Sequence, residues 1–90
     1  MTIKWTKRAV GNLESVLDYI ARDNVQASLK FRDFIVEKVT ILEHHPNIGR
    51  TADVQGVREW VIHENHIVVY RVRSEVLEIL RLRHVRRKYL

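Results

Sequence analysis

Gly56-Val57-Arg58-Glu59-Trp60-Val61-Ile62-His63-Glu64-Asn65-His66-Ile67-Val68-Val69-Tyr70-Arg71-Val72 decides the fold. Before Gly56, apolar residues recur every three or four positions. From Val57 onward they alternate or run together, and most are β-branched or aromatic. Such side chains lose rotamer freedom against a helical turn and pack well on a pleated surface. The stretch therefore reads as strands. Three are expected, Val57–His63, His66–Val72 and Val76–His84, joined by Glu64-Asn65 and Arg73-Ser74-Glu75. Links that short join antiparallel neighbours, so the economical topology is a meander of hairpins. Strict alternation places Val68, Tyr70 and Val72 on one face of the middle strand and Leu80 and Leu82 on one face of the last. Leu77 and Ile79 then lie opposite, on the side that continues as Arg81 and Arg83. One sheet face should cover the helical hairpin, and the second is open either to a partner or to the protein's own tail.

Working toward the N-terminus, the period is helical. Ala27, Phe31, Phe34, Ile35, Val39 and Leu42 form one stripe, widened by Leu29, Val36 and Ile41. Asn24 suits its N-cap, and Pro46 disfavours helical geometry at His45, so this helix ends near Glu43 or His44. Ala9, Val10, Leu13, Val16, Leu17, Ile20 and Ala21 form an earlier stripe, predicting a helix over Lys7–Ala21 with Thr6 as its N-cap. The two helices form an antiparallel hairpin across the short polar break Arg22-Asp23-Asn24. Ile3-Lys4-Trp5 alternates and predicts a short first strand. Pro46 to Gln55 reads as a loop. The expected class is α+β: a short N-terminal strand, then a helical hairpin packed on a C-terminal antiparallel meander, in one domain over residues 1–90.

Composition bounds the function. With 90 residues and no Cys, no disulfide framework or thiolate metal site can form. Met1-Thr2-Ile3-Lys4-Trp5 has no signal-peptide core, and the longest apolar run, Ile67 to Tyr70, is far short of the roughly 20 residues a membrane span needs. A soluble cytoplasmic protein is expected. The formal charge is +5. Arg81, Arg83, Arg86, Arg87 and Lys88, with His84, crowd the last ten residues without an acid. Such a cluster attracts an anionic partner, although a solvated basic tail is also compatible with it.

The candidate chemistries narrow quickly. His44 and His45 are adjacent and His63 and His66 flank a turn; neither pair has metal-ligand spacing, so no metal is expected. No serine or threonine sits in a strand-to-helix elbow, and no glycine-rich phosphate loop exists, so no cofactor is expected. The longer helix mixes Lys30, Arg32 and Lys38 with Asp33, Glu37 and Glu43, unlike a DNA-recognition helix. Metal-free RNA cleavage is the serious catalytic option. It needs a base for the ribose 2′-OH, a cation for the phosphate and an acid for the leaving oxygen. Arg58, Arg71, Arg81, Arg83, Arg86 and Arg87 could supply cations; His63, His66, His84 or Tyr89 could move protons.

The order strand, helical hairpin, meander and basic C-terminus resembles the RelE/ParE toxin superfamily of type II toxin–antitoxin systems. The resemblance rests on Ile3-Lys4-Trp5-Thr6, Asp18-Tyr19-Ile20-Ala21, Pro46-Asn47-Ile48-Gly49-Arg50, Gly56-Val57-Arg58-Glu59, Val69-Tyr70-Arg71-Val72 and Ile79-Leu80-Arg81-Leu82-Arg83-His84-Val85-Arg86-Arg87. It covers nearly the whole chain. The superfamily implies an unstable antitoxin that wraps the toxin. Its RelE branch cleaves mRNA in the ribosomal A site; its ParE branch poisons DNA gyrase.

The resemblance also discriminates between branches. RelE-type nucleases place an Arg where this chain has Ile67, and a second basic residue where it has Trp60. A related nuclease with a His-Tyr ending would place that pair at Val85 and Arg86. Arg58 is the one matching position. The helical-hairpin motif and the Pro46-x-x-Gly49-Arg50 loop are also more like ParE. The favoured reading is a binding toxin with no catalytic residues. It would hold gyrase or its antitoxin through Arg58, Trp60, Arg71, Arg81, Arg83, His84, Arg86, Arg87 and Lys88. The alternative is a ribosome-dependent mRNA endoribonuclease built on Arg58, Arg81, Arg83 and His84. Either form expects an antitoxin with an amphipathic segment, its apolar residues meeting the spare sheet face and hairpin and its acids meeting the arginines.

Overall fold

The computed structural model describes residues 1–85. Its elements run β1 (Thr2–Trp5), α1 (Lys7–Ala21), α2 (Val25–His44), β2 (Arg50–Thr51), β3 (Val57–His63), β4 (His66–Arg73) and β5 (Val76–His84). The five strands form one sheet in the order β1-β5-β4-β3-β2. β3, β4 and β5 are the expected antiparallel meander, and β1 joins it parallel to β5, pairing Thr2 with Val76 and Trp5 with Ile79. The helical hairpin thus carries the chain across the sheet, from β1 at one edge to β2 at the other. Among the described residues, no helix is long and apolar enough to cross a membrane.

Both helix starts are capped as the residue types dictate. Thr6 Oγ1 accepts from the Ala9 N–H at 3.1 Å, and Asn24 Oδ1 from the Ala27 N–H at 2.9 Å. Each satisfies one backbone donor that the first turn leaves without a partner. Thr6 does more: its hydroxyl reaches the Ile79 and Leu80 carbonyls at 3.0 and 3.1 Å, tying the start of α1 to β5. Between the helices, Ser28 Oγ donates to the Leu17 carbonyl at 2.8 Å, so this buried hydroxyl is satisfied. The shortest extent of the molecule is 21 Å, room for one helical layer on one sheet.

The core lies between those layers. Tyr70, Ile35, Leu42, Leu77, Ile79 and Val68 are its largest fully buried side chains, with Ile3, Trp5, Leu13, Phe31, Phe34 and Trp60 packed around them. Burial of each such side chain contributes about 1.5–3 kcal/mol.

The structure corrects the expected facing of β5. Val69 pairs with Arg81 but Tyr70 pairs with Ile79, so Leu80 is the extra residue of a bulge. One inserted residue inverts the alternation beyond it. Leu77 and Ile79 before the bulge and Leu82 after it all enter the helix-side core. Leu80 does not share their face; it packs with Val57, Ile67 and Val69 on the other side, where Arg81 and Arg83 also lie. The Leu82 N–H donates to Asn12 Oδ1 of α1 at 3.1 Å, which holds the bulged strand against the helix.

The loop after α2 is also more ordered than its sequence implies. Arg50–Thr51 forms the edge strand β2, with Arg50 opposite Glu59 and Thr51 opposite Arg58. β4 runs one residue past the expected end, to Arg73. Ser74 and Glu75 both adopt positive φ, 50° and 66°, and close the tight hairpin to β5.

Candidate partner-binding face

The face of the sheet away from the helices has an apolar floor and a cationic rim. Val57, Ile67 and Val69 are buried there, with Ala52, Leu80 and Val85 packed against them. Arg71, Arg81 and Arg83 project from the same face, and the first turn of α1 adds Arg8. Together they border an open depression of about 630 Å³, whose wall also includes Thr6, Asp53, Val54 and Glu59.

The charges along this depression are unequally matched. Arg71 Nε donates to Glu78 Oε1 at 2.7 Å, and that bond, followed by the charges of Arg71, Arg73 and Lys4, holds the Glu78 carboxyl below its ordinary pKa. Glu59 is shared: Oε1 lies 3.1 Å from Arg50 and Oε2 3.6 Å from Arg83. Arg81 makes no ion pair among the described residues, and its Nε is buried without a hydrogen-bond partner. Burial, then the charges of Arg8 and Arg83, press its pKa below that of a free guanidinium; Glu59 offsets part of this. An arginine does not escape such a position by losing its proton.

On the helix side, the polar groups around Tyr70 are closed upon themselves, whereas the buried His66 ring has no hydrogen-bond partner among the described residues. The Tyr70 hydroxyl donates to the Pro46 carbonyl at 2.8 Å and accepts from the Gly49 N–H at 2.9 Å. Arg58 Nη1 donates to the Gly49 carbonyl at 2.6 Å and the Asn47 carbonyl at 3.4 Å. The loop from Pro46 to Arg50 is thereby latched to the sheet. Only glycine fits at its centre: a Cβ on Gly49 would stand 2.8 Å from the Tyr70 hydroxyl and 2.9 Å from the Glu59 carbonyl oxygen. Burial raises the Tyr70 hydroxyl above its ordinary pKa, with the Gly49 hydrogen bond and the Arg58 charge opposing.

The sequence-derived site residues consequently separate. Arg71, Arg81 and Arg83 converge on the outer face. Arg58 and Trp60 pair across the sheet with Tyr70 and Val68, on the core side, and Trp60 packs against the core beneath the Lys38 ammonium, 5.5 Å from its ring. His84 pairs with His66, whose ring lies 4.9 Å away and 5.1 Å from Phe31 of α2. Arg86, Arg87 and Lys88 lie outside the described residues. The four residues of the nuclease alternative, Arg58, Arg81, Arg83 and His84, are therefore divided between opposite faces. Ile67, at the position where a nuclease carries Arg, is buried in the apolar floor with 4% exposure.

Sequence reasoning missed Arg8 and Glu59. Arg8 carried a signal: a cation in the first turn of a helix opposes the helix dipole, and Lys7-Arg8 places two there with no acid. Glu59 carried none, because its role depends on the pairing that sets it beside Arg50 and Arg83.

Fold and face together define a small two-layer toxin of the superfamily the sequence resembles. Residues 3–89 match the family model described as "ParE toxin of type II toxin-antitoxin system, parDE", and the chain belongs to that family. Among solved structures, a chain of the chromosomal ParDE toxin–antitoxin system from P. aeruginosa superposes with a TM-score of 0.84 at 30% identity, over 96% of this chain and 97% of that one. Protein Y4kP of Sinorhizobium fredii is 31% identical over 97% of this chain and 91% of its own. Toxin RelE2 of Caulobacter vibrioides is 28% identical over 94% and 96% respectively.

Proposed function

We propose that this ParE-family toxin arrests growth by binding and poisoning DNA gyrase, and that a cognate antitoxin neutralises it. The observation that carries this reading is the division of the candidate nuclease residues. Metal-free phosphodiester cleavage needs base, cation and acid around one phosphate. Here Arg58 is spent on loop carbonyls, the His84 ring meets His66 edge-on, and Arg81 and Arg83 face the other way. What remains is a contiguous surface suited to gripping: an apolar floor with arginines above it. Such a face can hold a protein target, and a partner seated on it would block that hold.

Purified toxin should inhibit supercoiling by gyrase or trap gyrase with cleaved DNA, and it should leave mRNA on programmed ribosomes intact. A-site cleavage with no effect on gyrase at toxin excess would instead select the ribosome-dependent nuclease. For neutralisation, the protein encoded beside this gene should restore supercoiling when added in equimolar amount.

A further inference from the structure

We infer that Arg81, with Arg8 beside it at the start of α1, forms a carboxylate-binding site in the outer face, and that its occupant is an acidic side chain of the antitoxin. The inference rests on the proposed neutralisation and names the contact that anchors it. Arg81 is the one cation of that depression whose Nε is both buried and without a hydrogen-bond partner among the described residues. Its neighbours deepen the deficit. Arg8 and Arg83 add like charge, and the carboxylate that opposes them, Glu59, is already divided between Arg50 and Arg83. A buried donor left without a partner costs free energy, and an incoming acceptor recovers it.

The end of α1 adds a second attraction. Thr6 caps the Ala9 N–H, but the first turn has no acidic residue, so the positive end of the helix dipole is unneutralised where Thr6 and Arg8 border the depression. A carboxylate placed over Arg81 meets this field as well.

The floor selects the class of partner. Val57, Val69 and Leu80 line the same depression, and Asp53 and Glu59 stand on its wall. A nucleic-acid backbone needs a row of cations free of acids and gains nothing from an aliphatic floor. A peptide with one acid flanked by apolar residues satisfies both parts at once. It would dock as an amphipathic segment whose carboxylate reaches Arg81 while its apolar side chains cover the valines.

The test uses the toxin and the protein encoded beside it, purified separately, with affinity measured by calorimetry. Arg81→Gln should weaken binding about 30-fold or more, the effect expected when one partner of a desolvated charge pair is removed. Arg32→Gln, on the exposed side of α2, should leave affinity within about twofold. In the Arg81→Glu toxin, changing one acid of the antitoxin to Lys should restore at least tenfold of the lost affinity, and only one acid should do so. Circular dichroism and a thermal melt of each variant establish that it is folded; Arg81→Lys, which keeps the charge, serves if Arg81→Gln is not. Unchanged affinity in Arg81→Gln, or rescue spread over many acids, overturns the site while leaving neutralisation standing. Failure of the wild-type toxin to bind the antitoxin overturns the proposed neutralisation and the site with it. A selective loss of affinity for a 20-base-pair DNA duplex in Arg81→Gln, with antitoxin binding intact, assigns the depression to nucleic acid and overturns the inference.

Discussion

The two faces of one sheet have opposite characters, although their residues alternate along the same strands. On the helix side, Tyr70, Val68, Leu77 and Ile79 are sealed under α1 and α2, and the tyrosine hydroxyl has both a donor and an acceptor. On the outer side, Val57, Ile67 and Val69 pack with Ala52, Leu80 and Val85, and the Arg81 Nε is a buried donor with no partner among the described residues. A small domain cannot cover both faces of its sheet. Here the helix side holds the larger core, and the outer side is the face proposed for a partner. The Leu80 bulge makes the division possible: without it, Leu82 and Arg81 would exchange sides.

That comparison breaks most visibly at the core. Ile79→Ala should cost about 3–4 kcal/mol in urea unfolding, because it empties a fully buried site. Val61→Ala, on the outer face and 53% exposed, should stay within about 0.5 kcal/mol. Similar losses at the two positions would contradict the assignment of stability to one face.

Acid offers a second, nearly as large, probe of the helix side. His66 is buried against Phe31 with neither ring nitrogen hydrogen-bonded, and its pKa falls from 6.5 to about 4 through burial, then the charges of His84 and His63. Between those values the unfolded chain binds a proton that the folded chain refuses. Stability is therefore lost as pH falls from about 6.5 toward 4, by on the order of 3 kcal/mol in total. Glu78 acts at the acid end of this range: its lowered pKa gives stability that is lost as pH drops below its ordinary 4.5. Urea midpoints between pH 6.5 and 4.5 should decline in the wild type and flatten in His66→Leu. A wild-type midpoint independent of pH across that window would show that His66 is not held neutral by the fold.

The latch is worth less. Gly49→Ala drives a Cβ toward the Tyr70 hydroxyl and the Glu59 carbonyl, and should cost about 1–3 kcal/mol. Tyr70→Phe leaves the Gly49 N–H and Pro46 carbonyl without their shared partner and should cost about 1–2 kcal/mol. Combined, the two should cost less than their sum, because both act on one contact. Thermal melts of the three variants check this, and full additivity would place the latch elsewhere.

How far the sequence discloses this molecule follows the range of the interaction concerned. Thr6, Asn24 and Pro46 mark helix boundaries because capping and steric exclusion act within a few residues, and the change of period after Gly56 marks the strands for the same reason. The parallel seating of β1 on β5 joins Thr2 to Val76, and no local pattern announces it. Nor does any pattern announce β2, two residues long, whose existence depends on Glu59 and Arg58 across from it. The bulge is the instructive case. Counting alternate residues through Leu80 assigned Leu77 and Ile79 to the face of the arginines, and one extra residue reversed that. The arginines themselves were legible as a cluster. Their division into matched and unmatched members was not, since it depends on which acid lies across the sheet.

The smallest expected change is the most direct test of the central claim, that the outer face is kept incomplete for a partner. It is the urea unfolding of the isolated toxin carrying Arg81→Leu. Replacing a half-buried cation whose Nε lacks a partner by an aliphatic side chain over an aliphatic floor should leave the free energy of unfolding unchanged or raise it by up to about 1 kcal/mol. A loss of more than about 1 kcal/mol would show that Arg81 supports the fold, and would contradict the division of the sheet into a stabilising face and a binding face.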